Sequence, residues 1–269
     1  MPPGVSGRGM VERIAFLLLL AQGIVAPAWA ELAWPGLCAR LDLAGEREPD
    51  EIRRYRMRLN DRPAGVEVFR FWRNGEQIRV VVQTELEGDI LMFPADFRHC
   101  RDEWWHAETA GAPQLVRLEG ATTYAVAFKP DYEIRIERDP ERGDIVYRGT
   151  SRLGAFEERH PANTGAVTPW SIRTVDYDRV LNVFERGAHP IESRLVGLAT
   201  VAGKQVVHYA IRGEWPRHLW YQEGKMIRFC ALEPFGTYVE TVLEAYVDLD
   251  VDALGLNRPC AEIFEQGER

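Results

Sequence analysis

Several signatures are missing from this 269-residue sequence, and each one removes a class of function. No two of its four cysteines stand in a CxxC spacing, so the usual zinc knuckle and the thiol-exchange motif are both lacking. No Gly-x-Ser-x-Gly elbow surrounds a serine, and neither Ser171 nor Ser193 sits in the context a serine hydrolase needs. Basic residues are not in excess: Lys+Arg 33 against Asp+Glu 41 give a formal charge of −8, which argues against nonspecific binding to nucleic acid or anionic lipid. Repeats and low-complexity tracts are lacking, and only the last segment hints at a helical period. After the first thirty residues no apolar run approaches the roughly 20 residues that span a bilayer.

What is present begins at the N-terminus. Arg8 and Arg13 precede the apolar run from Ile14 to Leu20, which fades through Gly23-Ile24-Val25 and ends in Pro27-Ala28-Trp29-Ala30. A basic segment, a short apolar core and a small-x-small ending predict a signal peptide over residues 1–30, cleaved after Ala30. Residues 31–269 are then expected to form a single β-rich domain in the periplasm. Cys38 lies well inside that domain behind Pro35-Gly36-Leu37, a poor acylation site, so no lipid anchor is expected. Removing Arg8, Arg13 and Glu12 leaves the mature chain at a formal −9.

An even number of cysteines in an oxidising compartment predicts disulfides. Cys38, Cys100, Cys230 and Cys260 allow three pairings. The expected one is Cys38–Cys260, tying the two ends of the domain together, with Cys100–Cys230 between strand-like segments.

Alternation with a period of two dominates the chain. Tyr55, Met57 and Leu59 alternate with Arg56 and Arg58, and Asn60 to Gly65 reads as a turn. Val66 to Trp72 resumes as a strand, and Asn74-Gly75 signals a tight hairpin. Ile78 to Leu86 and Phe97 to His106 follow, then shorter segments spaced by Gly120, Pro130 and Gly143. Glu157 to Asp178 interrupts the rhythm. There Thr168-Pro169 resembles an N-cap with proline in the first helical position, predicting a short helix from Trp170 to Arg173. Strands resume from Arg179 and run in hairpins to Val247. The fold class expected is mainly β: one curved antiparallel sheet forming a half-barrel or barrel, with the short helix near Trp170 plugging or covering an opening.

Candidate chemistry is sparse. His99 and His106 share a strand at an odd offset, so they face opposite sides and cannot easily ligate one metal. Asp102 and Glu103 alternate faces for the same reason. Asp248, Asp250 and Asp252 resemble the opening of a calcium loop, but Ala253 replaces the turn glycine and Pro259 the bidentate glutamate. No catalytic residue, cofactor or metal is expected. The aromatic residues are the most suggestive set. Trp72, Trp104, Trp170, Tyr209 and Trp220 are candidates to line the concave face and bind an apolar ligand, although Trp104 and Trp105 must point opposite ways.

Three segments carry a resemblance: Tyr55 to Gly65, Thr168-Pro169-Trp170, and Val207 to Gly213 leading into Leu219-Trp220-Tyr221. Together they resemble an uncharacterised family of secreted bacterial proteins, over about Tyr55 to Val247. More distantly the chain is similar to the open half-barrels of periplasmic lipoprotein carriers of the LolA/LolB type. That likeness implies a curved sheet with an apolar concave face and carries over no catalytic residue. The cysteines and the acidic stretch after Val247 depart from the family. The expected function is a non-catalytic binding protein for an apolar or lipid-like molecule. An accessory protein that binds another exported protein comes second, and an enzyme third.

Overall fold

The computed structural model describes residues 41, 46–90, 93–107, 113–124, 131–233, 236–247 and 253–267. The N-terminal segment, Cys38 and the Asp248–Asp252 run lie outside the described residues. Fifteen strands form one sheet, nearly closed into a barrel, in the order β8-β7-β6-β5-β4-β3-β2-β1-β15-β14-β13-β12-β11-β10-β9.

The first eight strands are a simple meander: β1 (Glu51–Leu59), β2 (Arg62–Asn74), β3 (Gln77–Ile90), β4 (Phe93–His106), β5 (Gln114–Tyr124), β6 (Tyr132–Arg138), β7 (Ile145–Ser151) and β8 (Gly154–His160). The first turn is tighter than the composition suggests. Asn60 and Asp61 both have positive φ, 47° and 65°, and join β1 to β2 as a two-residue hairpin whose twist suits the strands. Gly65 already lies inside β2, where a Cβ would stand 2.0 Å from the Glu85 carbonyl oxygen. Gly120, too, is internal to β5 and not a spacer. Strand β8 falls where an interruption was expected. Among the described residues it pairs only with β7, and its Glu157-Glu158-Arg159 charges guard a sheet edge instead of breaking a strand.

After Pro161 to Asn163 the chain turns inward. The short strand β9 (Thr164–Ala166) pairs in parallel with β10 (Arg179–Leu181), and residues 166–184, which include β10, fill the barrel interior as a plug. The expected helix is a 3-10 turn at Ile172–Asp176, displaced by two residues. The reason is local: the Thr168 hydroxyl donates back to the Ala166 carbonyl, 3.2 Å away, so it does not cap a first helical turn. A second meander follows: β11 (Ala188–Val201), β12 (Lys204–Gly213), β13 (Arg217–Gln222), β14 (Lys225–Glu233) and β15 (Thr237–Leu243). Strand β15 then pairs with β1, so the chain's first and last strands meet mid-sheet while its sequential neighbours β8 and β9 form the two ends.

The main core joins both meanders to the plug. Phe69, Phe71, Trp105 and Leu118 come from one side, Leu219, Tyr221 and Met226 from the other, and Val167, Trp170 and Leu181 from the plug. Buried tyrosines stitch these parts together. Tyr55 Oη donates to the Met226 carbonyl at 2.9 Å, Tyr221 Oη to that of Pro169 at 2.9 Å, and Tyr147 Oη to that of Asn182 at 3.0 Å. The C-terminal helix α1 (Cys260–Gly267) covers the convex face over Val206, Trp220 and Ile227.

The disulfide pairing differs from the expected one. Cys230 bonds Cys260, with Cα atoms 5.7 Å apart, and Cys100 is also disulfide-bonded. A Cys100–Cys230 bond is excluded by strand order. Strands β4 and β14 stand five places apart, roughly 24 Å along the sheet at the usual strand spacing, against a Cα separation of about 6 Å in a disulfide. With Cys230 on the convex face beneath the C-terminal segment, Cys260 is its natural partner, and Cys38–Cys260 falls with that.

Candidate functional site

The five aromatic candidates do not converge. Strand parity turns Trp72, Trp104 and Trp220 to the convex face. The Trp72 indole donates to the Arg47 carbonyl at 2.6 Å and packs on Leu41, Val81 and Cys100. Trp104 is 38 % exposed, beneath the Arg79 guanidinium. Trp220 is stacked on His208 at 4.1 Å and donates to the Leu254 carbonyl. Trp170 and Tyr209 share the concave side, where Trp170 fills the core and Tyr209 packs edge-on to Tyr221. Trp105 takes the inward position that its neighbour Trp104 vacates.

Two other groupings inside the barrel carry more chemistry. The first lies on β2 to β5, where alternation places Glu67, Thr84, His99, Arg101, Glu103 and Thr122 on the inward face, all buried. Glu103 is its hub. Its carboxylate accepts the Arg101 Nε–H, the Trp105 indole at 2.8 Å and the Trp170 indole at 2.7 Å. Burial pushes its carboxyl pKa up, against the Arg101 charge and those hydrogen bonds. Glu67 is pushed up by burial too, with Arg101 opposing and the Thr84 hydroxyl donating at 3.0 Å. His99 Nδ1 lies 2.9 Å from the Thr122 hydroxyl, and burial first, then Arg101, hold the imidazole neutral. Phe184 of the plug packs edge-on to that ring at 4.6 Å. The plug is therefore fastened to this side through the Trp170–Glu103 bond.

The second grouping is an apolar recess on the opposite flank. It is small and partly open to solvent, with room for about one water molecule. Val167, Pro169 and Val180 line it from the plug, and Ile191, Ile211, Leu219 and Phe229 from the sheet. Trp215 and Arg217 complete the wall. Arg217 is 7 % exposed, its guanidinium 4.5 Å from the Trp215 ring centroid and 5.3 Å from that of Phe229. Glu233, 3.9 Å away, is the one carboxylate that pairs with it among the described residues. On its other face Trp215 stacks against His189 at 4.1 Å, and His189 Nδ1 lies 2.9 Å from Glu214.

The sheet face that carries Ile191 and Ile211 continues along β11 and β12. Leu195 pairs with Tyr209, and the bulge at Val196 restores Leu198 to the same face, opposite Val207. Leu195, Val196 and Leu198 are 50 to 54 % exposed. Beyond Pro190 no described strand pairs with the outer edge of β11.

A further cluster lies on the convex face. His208 Nε2 and His218 Nδ1 are 2.9 Å apart beneath Phe264 of α1. Burial lowers their pKa values to about 3 and about 4, with the Arg228 charge adding to the effect. Arg228 ties down the segment before α1, donating to the carbonyls of Gly255 at 2.6 Å and Leu256 at 2.8 Å. His106 and His99 do face opposite ways, His106 exposed and His99 fully buried.

Arg217 and the β2–β5 charges were not among the sequence candidates. The available signal was a violation of pattern: Glu67, Arg101 and Glu103 stand in phase with Phe69 and Trp105 on what alternation makes the apolar face. No protein-family model matches the chain, and no curated protein matches it.

Proposed function

We propose that this protein is a non-catalytic binding protein for an apolar or lipid-like small molecule, acting in the periplasm after removal of its signal segment. The observation that carries the reading is the apolar recess between the plug and β11 to β14, which shares its sheet face with the exposed Leu195 and Leu198. Apolar walls supply affinity through burial at about 25 cal/mol per Å², and the recess is partly open to solvent. The likeness to periplasmic lipoprotein carriers is part of the same proposal and points to the same ligand chemistry.

The test is native mass spectrometry of the mature protein from a periplasmic extract, with and without denaturation. A co-purifying mass that denaturation releases, identified as an apolar metabolite or lipid, supports the reading. A clean apo mass over several gentle preparations overturns it.

A second reading, an accessory protein that grips another exported protein, draws on the outer edge of β11. A long edge strand with exposed apolar side chains is the geometry that strand addition uses. Cross-linking from position 196 in cells separates the two readings, since a carrier gives no discrete protein adduct there.

A further inference from the structure

At one end of the barrel three cations converge on a single carboxylate. Glu51 accepts Arg53 Nε at 2.9 Å and Lys225 Nζ at 2.8 Å on one oxygen, and Arg73 Nη2 at 3.0 Å on the other. The start of β1, the end of β2 and the start of β14 bring these side chains together. Glu51 pairs with Phe71 and Arg53 with Phe69, so both stand on the inward face, while Lys225 bridges to Ser171 of the plug. Among the described residues none of the three cations has a second carboxylate. The neighbouring Asp50 is taken by both Nη atoms of Arg47, each at 2.9 Å. Burial opposes the Glu51 charge, but the bonds from Arg53, Lys225 and Arg73 hold its carboxyl far below the usual carboxylate range. The cluster therefore carries three positive charges against one negative, on a chain whose formal charge is −8.

Like charges repel, and a solvated surface lets long side chains spread apart. This arrangement does not let them spread. Arg53 is buried, its guanidinium 4.2 Å from the Phe71 ring centroid, and its Nη1 has no hydrogen-bond partner. Arg73 and Lys225 differ in being about half exposed, 47 % and 51 % by side chain. The donors that Glu51 leaves unused on these two are thus open to solvent.

We infer that this end of the barrel binds a phosphoryl group, seated between Arg73 and Lys225 with Arg53 behind them as a fixed charge. The surplus of two positive charges matches a dianion, whereas a carboxylate or chloride leaves one cation uncompensated. A guanidinium fork pairs with two phosphate oxygens, and an ammonium serves a third as a point charge. Glu51 gathers the cations before the anion arrives, so little side-chain ordering remains to be done on binding. The cluster shares no residue with the apolar recess, and the inference does not depend on what the recess holds.

The test uses the full mature protein and calorimetric titration with inorganic phosphate at pH 8, with acetate at matched ionic strength as the monoanion. Phosphate is expected to bind about tenfold or more tightly than acetate, and Lys225→Gln and Arg73→Gln should each weaken it about tenfold, the loss of one charge-assisted bond. Both positions are half exposed, so the variants should fold, and Lys204→Gln, on a lysine paired with Glu223, should change nothing. A flotation arm separates the sources of the group: phosphatidylcholine vesicles with and without phosphatidic acid. Binding of free phosphate that the two variants abolish assigns a soluble phosphate or phosphoester. Capture by phosphatidic acid vesicles alone, lost in the same variants, assigns a lipid headgroup. Equal binding of phosphate and acetate overturns the dianion assignment, and binding that neither variant alters overturns the site. So does the lack of binding in both arms.

Discussion

On the β2–β5 side of the interior, Trp170 reaches the sheet through its hydrogen bond to Glu103, whereas on the β11–β14 side Pro169 accepts the Tyr221 hydroxyl and Val167 packs with Ile211, Leu219 and Phe229 around a small apolar recess. One plug thus meets two walls of the same sheet in different ways. The polar wall is closed by direction: hydrogen bonds fix where the indole must sit, and the charges require that every group stay in place. The apolar wall is held mainly by packing, which is a matter of volume, and only a small recess is left there.

The largest test of this contrast is to unpin the plug. Glu103→Leu strands the buried Arg101 charge and leaves both the Trp105 and Trp170 indoles without their acceptor. A loss of about 3–5 kcal/mol in urea unfolding is expected. Arg101→Met with Glu103→Leu should recover much of it, because a buried ion pair replaced whole is often neutral. If the single variant is as stable as the parent, the polar wall is not what holds the plug.

A pH titration gives the next effect. His208 and His218 have folded-state pKa values of about 3 and about 4, below the ordinary 6.5, and His99 is held well below it. The unfolded chain therefore binds protons near pH 6.5 that the folded chain refuses. Stability is full above that pH and falls as the pH drops toward 4, by on the order of 2 kcal/mol per histidine at pH 5. Denaturation midpoints at pH 7.5 and 5.0 measure the slope, and His208→Gln should flatten it. An unchanged slope would mean that the pair titrates normally.

Leu198→Ser should do least to the fold. It is an exposed side chain, so a change within about 0.5 kcal/mol is expected. Ligand affinity should nevertheless weaken severalfold if the ligand lies along the apolar face of β11. A variant with reduced stability and unaltered binding would shift the functional boundary back to Ile191.

The sheet was legible because its signals are local. Tyr55-Met57-Leu59 alternate with arginines, and Asn74-Gly75 sits at the end of β2, with Gly75 at positive φ and the turn itself made by Gly75 and Glu76. Strand β8 was not legible, since Glu157 to Arg159 look like loop residues until the strand is known to be an edge. The site was harder still. Which tryptophans share a face can be read within one strand, as with Trp104 and Trp105, but not between Trp72 and Trp170, whose relation depends on how the plug folds back. The disulfides failed for a similar reason: Cys100 and Cys230 both sit in strands, and only the strand order reveals that four others stand between them.

The meeting of β1 with β15 has a consequence in time. Leu59 pairs with Val239, so the strand that emerges first waits for nearly the whole chain before its second edge is occupied. Such distant pairing is slow, and an open strand edge in the interval invites the wrong neighbour. Arg54, Arg56 and Arg58 lie along that edge on the solvent side, spaced to repel a second copy of themselves. They are sentries for the unfinished molecule, with little left to guard once Arg58 reaches Glu240 and the sheet is joined.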